Sequence, residues 1–142
     1  MPHALYTLGY QGHTPDRILS YVQRLGAALV DVRYAVRSMR PEWRGAALKQ
    51  LVGPGRYVHL RCLGNVNYKA PNLPIVLDNP NGAVWTMRWI LDERPAILLC
   101  GCAEHIDCHR SVAAEWLAER LGSEVVGAVV HLAPAARKLE VA

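Results

Sequence analysis

Residues 28–32 read ALVDV. Apart from Asp31 the run is apolar, and no polar residue alternates with its valines and leucine. A short continuous apolar run that follows Gly26 and ends in the polar stretch RYAVRS, 33–38, reads as a strand covered on both faces. Strands covered on both faces belong to parallel sheets, because their crossover helices pack on either side.

The flanking segments supply those crossovers. Upstream, Ala4 to Gly9 reads as a first strand that ends in the flexible GYQGHTP, 9–15. Thr14 is then a candidate helix N-cap and Pro15 suits the first helical position, with Ile18, Leu19, Val22 and Leu25 at helical spacing until Gly26. Downstream, the pattern predicts a helix over 42–52, a strand over 56–63, a long Asn-, Pro- and Gly-rich loop over 64–82 and a helix over 85–93. AILLC, 96–100, reads as the next strand, 111–121 as a helix and 124–132 as the last strand. Alternation of this kind predicts one α/β, Rossmann-like, three-layer domain over 1–132, with a mostly parallel sheet of about five strands and a C-terminal tail over 133–142.

Composition sets outer limits. A chain of 142 residues, 51% hydrophobic, suits one core. No apolar run approaches the roughly 20 residues a membrane-spanning helix requires, and MPHALYTLGYQG is unlike a signal peptide. The expectation is a cytoplasmic protein without a membrane partner. Cys62, Cys100, Cys102 and Cys108 then read as reduced thiols rather than disulfides. The net charge of +4, from 16 Lys and Arg against 12 Asp and Glu, mildly favours an anionic partner, either a small molecule or a nucleic-acid component.

In parallel sheets, ligands bind beyond the carboxyl ends of the strands. Three segments meet that condition: Gly9 to His13, Asp31 to Arg40, and Cys100 to Arg110. In the first, Gly9 and Gly12 around Tyr10 allow close backbone approach to a ligand, while His13 and His59 also suit purely structural roles. In the second, Asp31 and Arg33 suit either an internal ion pair or a pocket wall on which Arg33, Arg37 and Arg40 hold phosphate or carboxylate. Tyr34 and Trp43 there could stack on bases.

The third segment, LLCGCAEHIDCHRS, 98–111, carries three of the four cysteines. A strand period of two puts Cys100 and Cys102 on one face. With Asp107 as N-cap, Cys108 takes the first helical position, where free amides favour a thiolate and bind anions. The segment supports a nucleophilic thiol at Cys102 or Cys108, with His105 or His109 accepting a proton and Arg110 at the centre of an anion site. Glu104 is a candidate general base or nucleophile. Cys100 also reads as a small core residue. Zinc is the rival chemistry, but Cys-x-Cys is tighter than a zinc knuckle and Arg110 would repel a cation, so no bound metal or other cofactor is expected. The candidate catalytic set is therefore Cys102, Glu104, Cys108 and His109, and the candidate binding set is Gly9, Tyr10, His13, Asp31, Arg33, Arg37 and Arg110.

Two resemblances bear on these sets. TLGYQGHT, LVDVR, RYVHLRCLG and LLCGCAEHIDCHRSVAAEWLAERLG, with the closing VVHL, resemble the bacterial family called domain of unknown function 488 over about residues 5–132. The chain departs from that pattern at Val36, where the family has proline, and at CGCAE, which is longer than the family's Cys-Ala-Glu. The resemblance implies a fold and a pocket, not a reaction. LVDVR and CHRSVAAEWLAERLG resemble, more faintly, rhodanese-like domains, which implies sulfur transfer; His105 here occupies the position of their cysteine. The expected function is an enzyme whose anion-binding pocket accepts a nucleotide or nucleic-acid component. Rhodanese-like thiol chemistry and a non-catalytic nucleic-acid or protein-binding module are the alternatives.

Overall fold

The computed structural model describes residues 2–102 and 108–134. Five parallel strands, β1 (His3–Gly9), β2 (Ala28–Asp31), β3 (Tyr57–His59), β4 (Ala96–Cys100) and β5 (Val126–His131), form one sheet in the order β3-β2-β4-β1-β5. β2 is interior, between β3 and β4, as its unbroken apolar run requires: all four residues are buried. β4 is buried along its whole length for the same reason.

Four helices cover the sheet: α1 (Pro15–Leu25), α2 (Gly45–Val52), α3 (Val84–Glu93) and α4 (His109–Leu121). The strand period of two divides the sheet residues between two cores. Leu8, Leu29, Ile97 and Leu99 meet Ile18 and Val22 of α1 and Leu48 of α2. Leu5, Val30, Leu98 and Cys100 meet Met87 and Leu91 of α3 and Ala113 and Leu117 of α4. The three-layer α/β expectation therefore holds, with a sheet that is wholly parallel. α1 begins as predicted, with the Thr14 side chain accepting from the Arg17 amide, and it ends at Gly26 in the left-handed region. No helix among the described residues is long and apolar enough to cross a membrane.

Several boundaries differ from the sequence pattern. The strand expected over 56–63 stops at His59, because the Leu60 amide makes the last bond to Asp31 and residues 61–63 coil into a 3-10 turn. The helix expected over 42–52 splits into a 3-10 turn over Pro41–Trp43 and α2, with Arg44 extended between them. The break has a tertiary cause: the Gly45 amide bonds to Val36 and the Trp43 carbonyl accepts from Arg33, so neither serves a continuous helix. Cys108 is the N-cap of α4 rather than its first helical residue, with extended φ −116° and ψ 140°. The proposed cap Asp107, together with Glu104 and His105, lies outside the described residues.

Candidate functional site

β4 lies between β1 and β2, so the three segments picked out by the sequence end side by side. Gly9 pairs with Cys100 and Asp31 with Leu99, and the Tyr10 and Val32 amides bond to the Cys100 and Leu99 carbonyls at 2.9 and 3.0 Å. Beyond Cys100 the chain crosses over β1. A Cβ on Gly9 would lie 1.4 Å from the Cys102 carbonyl oxygen, so only glycine admits this crossing.

The return of the chain at Cys108 completes a cluster of thiols. The Sγ atoms of Cys100, Cys102 and Cys108 all lie within 4.8 Å of one another, with Cys100 and Cys108 in contact at 2.7 Å. Cys100 and Cys108 are buried and Cys102 is exposed. Their acidities diverge accordingly. Hydrogen bonds from the other two thiols, aided by the Arg110 charge, pull Cys102 well below the ordinary thiol range. Burial pushes Cys100 up. Contact with Cys100 pulls Cys108 down, but contact with Cys102 and burial outweigh it.

Arg110 underlies this cluster. Its side chain is fully buried, and one guanidinium nitrogen donates to the Cys102 carbonyl at 2.7 Å and to Cys100 Sγ at 3.2 Å. Arg110 suits either the centre of an anion site or a buried clamp; in the structure it is buried and holds the Cys102 carbonyl. His109 Nε2 lies 2.8 Å from the Val32 carbonyl, which can only accept, so Nε2 carries the ring proton. Nδ1 then keeps its lone pair, 3.9 Å from Cys108 Sγ. Burial lowers the His109 pKa.

Asp31 and Arg33 form the internal ion pair that the sequence offered as one alternative. Arg33 donates from Nε and a terminal nitrogen to the two carboxylate oxygens at 2.8 and 2.6 Å, and from its other terminal nitrogen to the Trp43 carbonyl at 2.7 Å. Tyr57 adds a hydroxyl donor to Asp31 at 2.7 Å. Burial works against the Arg33 charge, yet Asp31 raises its pKa above the ordinary arginine value. Tyr10 stacks on Trp43 at 4.5 Å and lies beneath the Arg33 guanidinium at 5.4 Å.

Two connected clefts open above these residues. The inner one, of about 370 Å³, is lined by Tyr10, Arg33, Tyr34, Arg37, Asn65, Asn67, Tyr68, Cys102 and His109, among others. The outer one, of about 750 Å³, shares Tyr34, Ala35, Arg37 and Tyr68 with it and adds Arg44, His59, Arg61 and Lys69. No carboxylate lines either cleft among the described residues. Arg61 stacks on Tyr34 at 4.1 Å, Tyr34 meets Tyr68 at 5.7 Å and Lys69 lies over Tyr68 at 5.7 Å, so two cations flank a pair of tyrosines along the wall.

Of the sequence candidates, Tyr10, Arg33, Arg37, Cys102 and His109 meet at the inner cleft. Gly9, Asp31, Cys108 and Arg110 support it from below, and Glu104 is outside the described residues. Sequence reasoning did not name Asn65, Asn67, Tyr68, Arg61 or Lys69. The signal for the first three and Lys69 was the length and composition of the 64–82 loop, which reads as a binding segment without singling out residues.

His13 faces a separate hollow with Tyr10 and Arg40 and presents its edge to Tyr21 at 6.0 Å. Burial, together with the Arg17 charge, lowers its pKa and outweighs a backbone contact at Ala133. The fold thus holds His13 neutral. The stability this contributes is present above the ordinary value of 6.5 and is lost as pH falls through the lowered folded value, because the unfolded chain takes the proton first. A His13→Phe variant is expected to lose less melting temperature than the parent between about pH 7.5 and pH 5.5. Equal losses would show that His13 takes its proton as readily in the folded chain as in the unfolded one.

Comparison with protein-family models, curated proteins and solved structures finds no match to this chain.

Proposed function

We propose that the chain is an enzyme acting on a phosphate-bearing substrate, a nucleotide or nucleic-acid component, whose anionic part occupies the outer cleft and whose reacting group reaches Cys102 and His109 in the inner one. The observation that carries this reading is the shared wall of the two clefts. A surface lined by Arg37, Arg44, Arg61 and Lys69, with no carboxylate among the described residues, leads past the tilted pair Tyr34 and Tyr68 to the Cys102 thiol and the His109 imidazole. Guanidinium forks suit phosphate oxygens, and aromatic faces suit bases. His109, its ring fixed by Val32, lines the inner cleft with Cys102 and is the candidate proton acceptor there.

The resemblance to the domain of unknown function 488 family is compatible with this reading and adds no reaction to it. Rhodanese-like sulfur transfer is the second reading, favoured by the exposure of Cys102 in the inner cleft.

A thermal-shift screen of nucleotides, a short single-stranded DNA and thiosulfate separates them. Nucleotides or DNA are expected to raise the melting temperature. Charge reversal at Arg37 and Arg61, both exposed, is expected to weaken that binding at least about tenfold while leaving the melting temperature of the unliganded chain nearly unchanged. Stabilisation by thiosulfate alone would favour sulfur transfer, and binding indifferent to Arg37→Glu and Arg61→Glu would overturn the cleft assignment.

A further inference from the structure

We infer that Cys100, Cys102 and Cys108 together bind one thiophilic divalent cation of the zinc class. The inference stands on the thiol cluster and does not depend on which compound occupies the clefts.

Zinc–sulfur bonds of about 2.3 Å place the sulfurs of a tetrahedral site about 3.8 Å apart. The separations here run from 2.7 Å between Cys100 and Cys108 up to a limit of 4.8 Å and bracket that value, so to enclose an ion Cys100 and Cys108 must part by about 1 Å. All three donors are sulfur, which excludes magnesium and calcium and selects zinc or another thiophilic metal. The three thiols come from a strand end, the following residues and a helix cap, with Cys100 and Cys108 buried and Cys102 exposed beside the inner cleft, where an ion can enter.

Arg110 fits such a site, contrary to the expectation that its charge would repel a metal. Three thiolates and one divalent cation sum to a single negative charge, and the Arg110 guanidinium, 3.2 Å from Cys100 Sγ, balances it. Its second bond, to the Cys102 carbonyl, fixes the residue that carries the outermost sulfur. Hydrogen-bonded groups behind the ligands orient them and tune the ion in this way. Binding displaces the thiol protons to solvent, so affinity falls as pH falls. Cys102 then serves as a ligand, and a substrate in the inner cleft meets the metal edge and His109 instead of a free thiolate.

The test uses the full chain, reduced and stripped of metal with a chelator, and then titrated with zinc. One equivalent is expected to bind, to raise the melting temperature, and to protect Cys102 from alkylation as read by mass spectrometry. Cys62, which is half-buried and not among the clustered sulfurs, is the internal reference and should alkylate at an unchanged rate. Cys102→Ser, at an exposed position that folding tolerates, is expected to weaken zinc by at least roughly 10- to 100-fold, and Cys62→Ser to leave it unchanged. Circular dichroism before and after titration confirms that the folded chain is the species that binds. Zinc that leaves Cys102 as reactive as before, or that protects Cys62 equally, would overturn the inference. So would equal zinc affinity in Cys102→Ser and the parent. Failure of nucleotide binding would not touch it.

Discussion

Asp31→Ala is expected to cost about 3–5 kcal/mol, because it strands a buried guanidinium whose carboxylate partner lies at 2.6 Å. For a domain of this size that loss lowers the melting temperature by roughly 10–15 °C. The carboxylate also accepts from the Arg33 backbone amide at 3.2 Å and from the Tyr57 hydroxyl, so the substitution removes the acceptor that ties the segment after β2 to β3. Tyr57→Phe removes one of those bonds and should cost only about 1–2 kcal/mol. The double variant Asp31→Leu/Arg33→Met should recover part of the loss, since replacing both members of a buried pair with apolar groups removes the uncompensated charge. Chemical denaturation of the four proteins measures these differences. A loss below about 1 kcal/mol for Asp31→Ala would mean that water reaches the pair and that it does not hold the β2 end.

Gly9→Ala is expected to be comparably severe and to act at the thiol cluster. The new Cβ would sit 1.4 Å from the Cys102 carbonyl oxygen and 2.8 Å from a terminal nitrogen of Arg110. The first contact is with backbone, which no rotamer change relieves. Overpacking usually costs about 1–3 kcal/mol, and a contact this short belongs at or above the top of that range. The Cys102 loop must lift away from β1, which breaks its bond to Arg110 and parts the Cys102 sulfur from its two neighbours. The expected signature is a fall in melting temperature of roughly 10 °C together with an altered alkylation rate at Cys102. Gly55→Ala, where a Cβ meets open space, is the matched control and should leave both readouts unchanged. A Gly9→Ala chain as stable as the parent would show that the loop does not cross β1 this closely.

These two residues illustrate how differently the site was legible. Gly9 was noted for close backbone approach, and the approach is real, but the approaching group is the chain's own Cys102 carbonyl. Asp31 and Arg33 had two compatible readings, and geometry alone chooses between them, because a guanidinium two residues from a carboxylate can turn inward to it or outward to a ligand. Here both carboxylate oxygens and the Trp43 carbonyl take it inward. The thiol segment shows the same limit of reading along the chain. Along the chain Cys-x-Cys is too tight for a knuckle and Arg110 looks repulsive, but Cys108 returns to complete the trio and Arg110 contacts sulfur.

The chain by itself determined the fold class, the order of strands and helices, the interior position of β2 and the carboxyl ends of the strands as the place of the candidate site. These follow from short-range physics: unbroken apolar runs of strand length, helical spacing of Ile18, Val22 and Leu25, and the Thr14–Pro15 start. Only the tertiary structure decided that β4 inserts between β1 and β2, that Cys108 meets Cys100, that Arg110 faces inward, and that Asn67 and Tyr68 from a distant loop meet Cys102 across one cleft. Sequence periodicity reports which face of an element is apolar. It carries no information on which other element covers that face, and every group that gives this site its chemistry is brought there by a contact of the second kind.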